Sequence, residues 1–150
     1  LRTFARLRKV LRPIDLAVGQ FFMREEIAKL FDEPFNTAIW NKGHILANNG
    51  HSHILLVTLN KQGRSNDHRF IDHWINNHSF HWQSQNATTP DSQKGKQIIN
   101  HDALGIDIHL FVRENKLINS KAAPFEYFGE VAYKSHTGSS PMSIIFELKH

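Results

Sequence analysis

The segment FHWQSQN, residues 80–86, sets Trp82 beside three amides, Gln83, Gln85 and Asn86. A side-chain amide carries both a donor and an acceptor, so it can pair with the hydrogen-bonding edge of a base. An indole offers a base a stacking surface. On an extended strand Phe80, Trp82 and Ser84 share one face, and His81, Gln83 and Gln85 the other. The competing reading is a core tryptophan with amides on a solvated edge. It accounts for Phe80 and Trp82, but less well for three amides together, which have poor strand propensity.

Other residue sets suggest other chemistry. Seven of the eleven histidines lie between His44 and His81. A metal site would need three or more converging His or Asp side chains, and His51 and His53 on one strand face supply two, with His78 and His81 close by in sequence. His44, Asn48 and His53 have the residue types of a histidine-metal nuclease, but ILLVTLN after His53 reads as a strand where that chemistry needs a helix. Asp107, Glu114 and Lys116 resemble a magnesium-binding carboxylate core. Their odd separation puts the two acids on opposite faces of a continuous strand, and RENKLINS reads as a turn. The loop SHTGSSP, residues 135–141, has hydroxyls, a glycine and Lys134 and His136 nearby, a composition that can hold a phosphate or simply connect two strands.

Period-two patterns supply the elements that must position these groups. They predict strands over 43–47, 53–60, 68–74, 79–85, 106–113, 125–133 and 142–148, with an Asn48-Asn49-Gly50 hairpin turn and an Asn76-Asn77 loop. Ile106, Ile108, Leu110 and Val112 share a face; so do Phe125, Tyr127, Val131 and Tyr133, and Met142, Ile144, Phe146 and Leu148. Met23, Ile27, Leu30 and Phe31 predict a helix over 18–32. A second is predicted between Pro90 and Asn100, with Thr89 as N-cap. Strands outnumber helices and do not alternate with them, which indicates an α+β domain on a curved, mostly antiparallel sheet, an open barrel with two or three helices.

The 150 residues hold 11 Phe, 3 Trp and no Cys, enough apolar mass for one core without disulfides, and no thiol chemistry. Residues 1–12 carry five basic residues and no acid; the rest has thirteen basic against fourteen acidic residues, a net −1. Residues 1–13 read as a basic linker or connecting helix from an upstream domain, and 14–150 as the domain proper. No apolar run approaches the roughly 20 residues of a membrane span, and the basic start lacks the apolar core of a signal peptide. The expectation is a cytoplasmic fragment of a longer protein, without membrane association.

The segments LLVTLNK (55–61), FHWQSQNATTP (80–90), IHLFVRENK (108–116), PFEYFGEV (124–131) and YKSHTGSSPMSIIFEL (133–148) resemble the C-terminal domain of bacterial helicase-containing restriction proteins. Those proteins join a phospholipase D-type nuclease, a superfamily-2 helicase and this terminal domain, and some are similar to type IV restriction enzymes that cut DNA containing modified cytosine. The resemblance covers about residues 19–148. It implies an SRA- or PUA-like fold, a partner in double-stranded DNA with 5-methylcytosine or 5-hydroxymethylcytosine, and upstream helicase and nuclease domains in the same chain. It implies no catalysis by this fragment and no cofactor.

A flipped base needs its stacking and pairing replaced. The physical candidates for stacking are Trp82, Trp74, Phe80 and Tyr127; for the Watson–Crick edge, Gln83, Gln85, Asn86 and Asp72. Lys61, Arg64, Lys94, Lys96, Lys134, His136, Thr137, Ser139 and Ser140 are the candidates for phosphates. Two alternatives stand beside this reading: a docking domain coupling helicase to nuclease without base readout, and a His/Asp metal-dependent nuclease.

Overall fold

In the computed structural model the described residues are 16–60 and 72–149. Each of the seven expected strand segments contributes a strand there. They are β2 (His44–Ala47), β3 (Ser52–Asn60), β4 (His73–Trp74), β5 (Ser79–Gln83), β6 (Asp107–Asn115), β9 (Phe125–Thr137) and β10 (Ser143–Leu148). Residues 68–71 of the third segment, with Lys61 and Arg64, lie outside the described residues. Three short strands complete the set: β1 (Phe21–Phe22), and β7 (Leu117–Ile118) paired with β8 (Lys121–Ala122). RENKLINS is therefore strand followed by hairpin rather than turn throughout.

Four helices stand among the described residues, where two or three were expected: α1 (Arg24–Leu30), α2 (Thr37–Trp40), α3 (Gln93–Ile99) and α4 (His101–Leu104). The helix expected from residue 18 begins at Arg24, because Phe21 and Phe22 pair with Glu126 and Phe125 of β9. The Glu26 carboxylate accepts the Met23 N–H at 2.7 Å and fixes that start. The N-cap of α3 is Ser92, not Thr89: Ser92 Oγ accepts the Gly95 N–H at 3.2 Å. Thr89 instead forms a reciprocal pair with Ser92, with Thr89 N–H donating to Ser92 Oγ and Ser92 N–H to Thr89 Oγ1, both at 3.0 Å. This turn lies so close to α3 that a Cβ on Gly95 would stand 1.9 Å from the Thr89 carbonyl oxygen. Gly95→Ala is expected to cost about 1–3 kcal/mol of stability through overpacking, although alanine is the better helix former. A urea titration of the two proteins checks this; equal midpoints would contradict it.

The main sheet runs β2-β3-β6-β9-β10-β5-β4, and β1 adds to β9. All neighbours are antiparallel except β3 and β6. A parallel pair needs a long crossover, and this one carries β4, β5, α3 and α4. The sheet curls. Leu55 and Val57 of β3, Leu110 of β6, Val131 of β9, Ile144 and Phe146 of β10 and Phe80 and Trp82 of β5 all join one buried cluster, with Ile98 of α3. The ring of His44 on β2 meets that of Trp82 on β5 edge-on at 5.3 Å. The terminal strands β2 and β4 do not pair, so the sheet is not closed into a barrel. A second cluster covers the outer face, where Ile54, Leu56, Phe111, Phe125 and Tyr127 pack under Ile27, Phe31 and Trp40 of α1 and α2.

Because both faces of β6 are covered, its expected alternation hides a second buried set: His109 and Phe111 are as buried as Ile108 and Leu110. In β9 the expected single face is split. Leu110 pairs with Gly129 but Phe111 with Tyr127, leaving Phe128 as the extra residue of a bulge. An extra residue reverses the alternation, so Phe125 and Tyr127 enter the outer cluster and Val131 and Tyr133 the inner one. Gly129, at φ +98°, accommodates the kink. Among the described residues no helix is long and apolar enough to cross a membrane.

Candidate functional site

The structure divides the residues expected to form one pocket. Phe80 and Trp82 belong to the inner core, and Tyr127 to the outer one across the sheet. All three are at least 96% buried, so none offers an open stacking face. Their alternation placed them on a core face, which is the reading that Phe80 and Trp82 alone allowed. Gln83 and Asp72 are joined through the backbone, the Gln83 N–H donating to Asp72 Oδ1 at 2.9 Å. Gln85 Oε1 accepts from Lys94 Nζ at 3.2 Å, and Asn86 is exposed. Trp74 alone of the four aromatic candidates is only partly covered; its ring stands edge-on to Phe80 at 4.8 Å and tilted against Phe128 at 4.9 Å.

Trp74 lines a groove of about 470 Å³. Its apolar wall is Leu59, Trp74, Val112 and Phe128, with Phe21 and Ile118 at the mouth; Arg113, Glu114, Asn115 and Glu126 supply polar groups. The elements explain the shape. The ends of β3 and β6 lie side by side, the β7–β8 hairpin projects from β6, and the bulge sets Phe128 opposite Trp74. Arg113 is part of the frame: Nε donates to Thr58 Oγ1 at 2.9 Å and Nη1 to the Ala123 carbonyl at 3.0 Å, with the guanidinium 4.2 Å from the Phe125 ring centre. Burial, and then the neighbouring Arg24, lower its pKa to about 10, so it stays charged at neutral pH. Asn115 Oδ1 accepts from Asn60 Nδ2 at 3.0 Å. Aromatic and aliphatic walls fit a planar ring, and the two carboxylates are acceptors for an exocyclic amine. Of these, sequence reasoning assigned only Trp74 to a base pocket; Glu114 was weighed for a magnesium core and Val112 for a strand face. The available signal was the glycine in FEYFGEV, since an isolated glycine within a strand pattern marks a bulge. A second recess of about 430 Å³ beside α1 is lined by Glu25, Lys29, Asp32, Glu33 and Phe35, an acidic wall unsuited to a polyanion.

A second polar group lies at the seam where β2 approaches β5. His44 and His53 are 2% and 0% exposed, and His44 Nε2 lies 2.8 Å from His53 Nδ1. They face each other diagonally, because His44 pairs with Leu55 and His53 with Leu46. His53 Nε2 lies 2.9 Å from Gln97 Oε1 on α3. With that oxygen as acceptor, His53 donates from Nε2 and accepts at Nδ1 from His44 Nε2–H, which leaves His44 Nδ1 a bare acceptor; it has no hydrogen-bond partner. Burial, then His53 and Lys94, hold the His44 pKa well below the ordinary histidine value. Burial lowers His53 to about 4; the Gln97 bond opposes this, and Lys94 and His101 add to it. Both rings are neutral at neutral pH.

The other histidines among the described residues make local contacts. His101 Nδ1–H donates to the Ile106 carbonyl at 3.1 Å, and Nε2 accepts the Tyr133 N–H at 3.1 Å. The Tyr127 hydroxyl lies 2.8 Å from His109 Nδ1; burial, then Glu130 and Asp107, raise the Tyr127 pKa. Asp107 lies 3.8 Å from His109 Nε2, while Glu114 is at the far end of β6 and Lys116 is exposed beyond it. His51 is exposed, and its Nδ1 contacts the Asn48 carbonyl oxygen at 3.1 Å; the exposed His78 meets Asn77. His73 and His81 stack at 4.7 Å. Among the described residues no three His, Asp or Glu side chains are grouped to hold a metal.

Of the phosphate candidates, Lys94 sits at the seam and Lys96 is exposed on α3. Lys134 pairs with Glu147 at 3.7 Å, and His136 Nδ1 lies 2.6 Å from the Tyr133 hydroxyl. Thr137 at the end of β9 and Ser139 and Ser140 in the loop that follows are exposed. Of these groups Lys94 meets the Trp82 segment, through Gln85.

Residues 16–150 match a protein family described as a domain of unknown function, DUF3427. No curated protein matches the chain.

Proposed function

We propose that this chain, which belongs to the DUF3427 family, is a DNA target-recognition domain that seats a flipped, modified cytosine in the groove beneath Trp74. The supporting observation is the groove itself, a partly covered tryptophan facing a bulge phenylalanine, with two carboxylates and an amide in the same wall. Extrusion of a cytosine costs a few kcal/mol of stacking and pairing. Trp74 and Phe128 replace the stacking, worth about 1–3 kcal/mol per base. Glu126 or Glu114 accepts from the N4 amine, and Asn115 reads the remaining edge. A 5-methyl group adds only about 0.8 kcal/mol when buried, so Leu59 and Val112 must fit it closely. The curled sheet is compatible with the SRA- or PUA-like open barrel that we attach to this reading. Lys96, Lys134 and the Thr137–Ser140 loop are its phosphate contacts. In a modification-dependent restriction enzyme of the cytoplasm, cleavage and ATP hydrolysis belong to helicase and nuclease domains of the same protein.

The test is binding of duplexes identical except for cytosine, 5-methylcytosine or 5-hydroxymethylcytosine, at fixed moderate salt. Trp74→Ala is expected to weaken binding of the preferred duplex roughly 5- to 100-fold, the equivalent of one lost stack. Glu126→Gln is expected to reduce the preference with the fold intact. Equal affinity for all three duplexes would falsify modification reading. No salt-dependent DNA binding at all would favour the docking domain, a reading that the net −1 charge of residues 13–150 and the exposed Phe21, Leu117 and Ile118 also suit.

A further inference from the structure

At the seam between β2 and β5 the lysines Lys42 and Lys94 have no ion pair with an acid among the described residues. Lys94 is half-buried, and its ammonium donates to the amide oxygen of Gln85 at 3.2 Å rather than to a carboxylate. Its surroundings include Lys42, His44 and His53, groups that interact with it electrostatically. His101 of α4 adds to the same field at His53; Trp82 of β5 contributes a ring and no charge. Among the described residues no ion pair involves Lys42 or Lys94, whereas Lys134 and Lys149 both have carboxylate partners. Burial, then Lys42, lower the Lys94 pKa, the direction expected of an ammonium lacking a counter-charge.

A second observation concerns His44. Its Nδ1 is buried and has no hydrogen-bond partner. A buried polar atom without a partner is costly and calls for an explanation. Protonated, that nitrogen becomes a donor, and an anion beside it would favour the change. Two lysines without a carboxylate partner among the described residues, beside an incompletely bonded imidazole, suit an anion.

We propose that the β2–β5 seam is a phosphate-binding site in which Lys94, Lys42 and Gln85 hold the oxyanion and the His44–His53 pair backs it. The amide of Gln85 turns its NH₂ toward the oxyanion when Lys94 leaves its oxygen. This site stands apart from the Trp74 groove and does not need the base-reading proposal. A phosphodiester of a nucleic acid strand and a free or terminal phosphate share the chemistry it recognises.

The experiment is calorimetric titration at neutral pH and low salt with three probes: inorganic phosphate, a thymidine trinucleotide with internal phosphodiesters only, and the same trinucleotide bearing a 5′-phosphate. The proteins are wild type, Lys94→Gln, Lys42→Gln and, as control, Lys121→Gln on the exposed β7–β8 hairpin. At least one probe is expected to bind. Its affinity should fall roughly tenfold in Lys94→Gln and in Lys42→Gln, the loss of one charge-assisted hydrogen bond, and stay unchanged in Lys121→Gln. Thermal melting of each protein verifies the fold. Binding of the unphosphorylated trinucleotide identifies the source as a strand backbone; binding confined to the other two identifies a free or terminal phosphate. No binding by any probe, or binding indifferent to both seam lysines, overturns the proposal. Inorganic phosphate carries no base, so either result leaves the groove reading to its own test.

Discussion

Trp82→Ala is expected to lower the unfolding free energy by about 3–5 kcal/mol, a loss comparable to much of a small domain's stability. The indole is 4% exposed and sits on the inner face of the curl, 6.0 Å from the Phe146 ring and 5.3 Å from His44. Its removal leaves a cavity where β5 approaches β2, two strands with no ladder between them. Side-chain packing therefore carries the contact across the seam, and little can collapse to fill the space. Water would also reach the His44–His53 pair. Urea denaturation followed by tryptophan fluorescence checks the value, with Trp40 and Trp74 still reporting. A Trp82→Ala protein as stable as wild type, yet deficient in DNA discrimination, would return Trp82 to a binding pocket and contradict the core assignment. Trp74→Ala makes the opposite pairing of effects: the ring is only partly covered, so the larger loss should fall on binding.

The second large effect is acid destabilisation. A histidine whose folded pKa lies below its unfolded value is protonated more readily in the unfolded chain. His44 and His53 are both shifted in that direction by burial first. Their contribution is fully present above the unfolded value of 6.5 and declines as pH falls through the window below it, down to about 4 for His53. With about 1.36 kcal/mol per pKa unit, His53 alone removes roughly 3 kcal/mol across that window, and His44 adds to it. Denaturation midpoints measured from neutral pH down to the acid limit should fall steeply in wild type. In the double variant His44→Gln/His53→Gln the amides retain hydrogen-bonding groups but do not titrate, so the slope over the same window should flatten. Parallel slopes would show that other groups dominate. Anion binding at the seam would favour protonation of the pair and bring its folded pKa closer to the unfolded value, so added phosphate should make the wild-type decline shallower.

Much of the fold was legible because the information is local. Alternation marked the seven strands of the main path, and Asn48-Asn49-Gly50 marked the β2–β3 hairpin; Asn48 and Asn49 do adopt positive φ there. Where a nearby contact overrode the pattern, boundaries moved: Phe21 and Phe22 joined β9, and the reciprocal Thr89–Ser92 pair delayed α3. The candidate site was far less legible. Trp74 was identified, but its companions come from β1, β3, β6, β9 and the β7–β8 hairpin, and no local spacing relates them. Lys94 and Gln85 were named for separate roles, and they are bonded to each other.

By itself the sequence determined the residue types, the strand and helix segments and the charge: an α+β chain rich in alternation, with no thiol, and with its positive excess in the first twelve residues. Only the tertiary structure decided which face of each strand looks inward and which groups meet. A one-residue bulge between Tyr127 and Gly129 turns Val131 and Tyr133 to the face opposite Phe125 and Tyr127, and the inner and outer clusters cover both faces of β6. Curling then buries Trp82 against His44 from a strand that it never pairs with, and leaves Trp74 at the rim. The reason is one of range. Periodicity is fixed by the geometry of one strand, whereas burial and convergence depend on strand pairings between residues far apart in the chain.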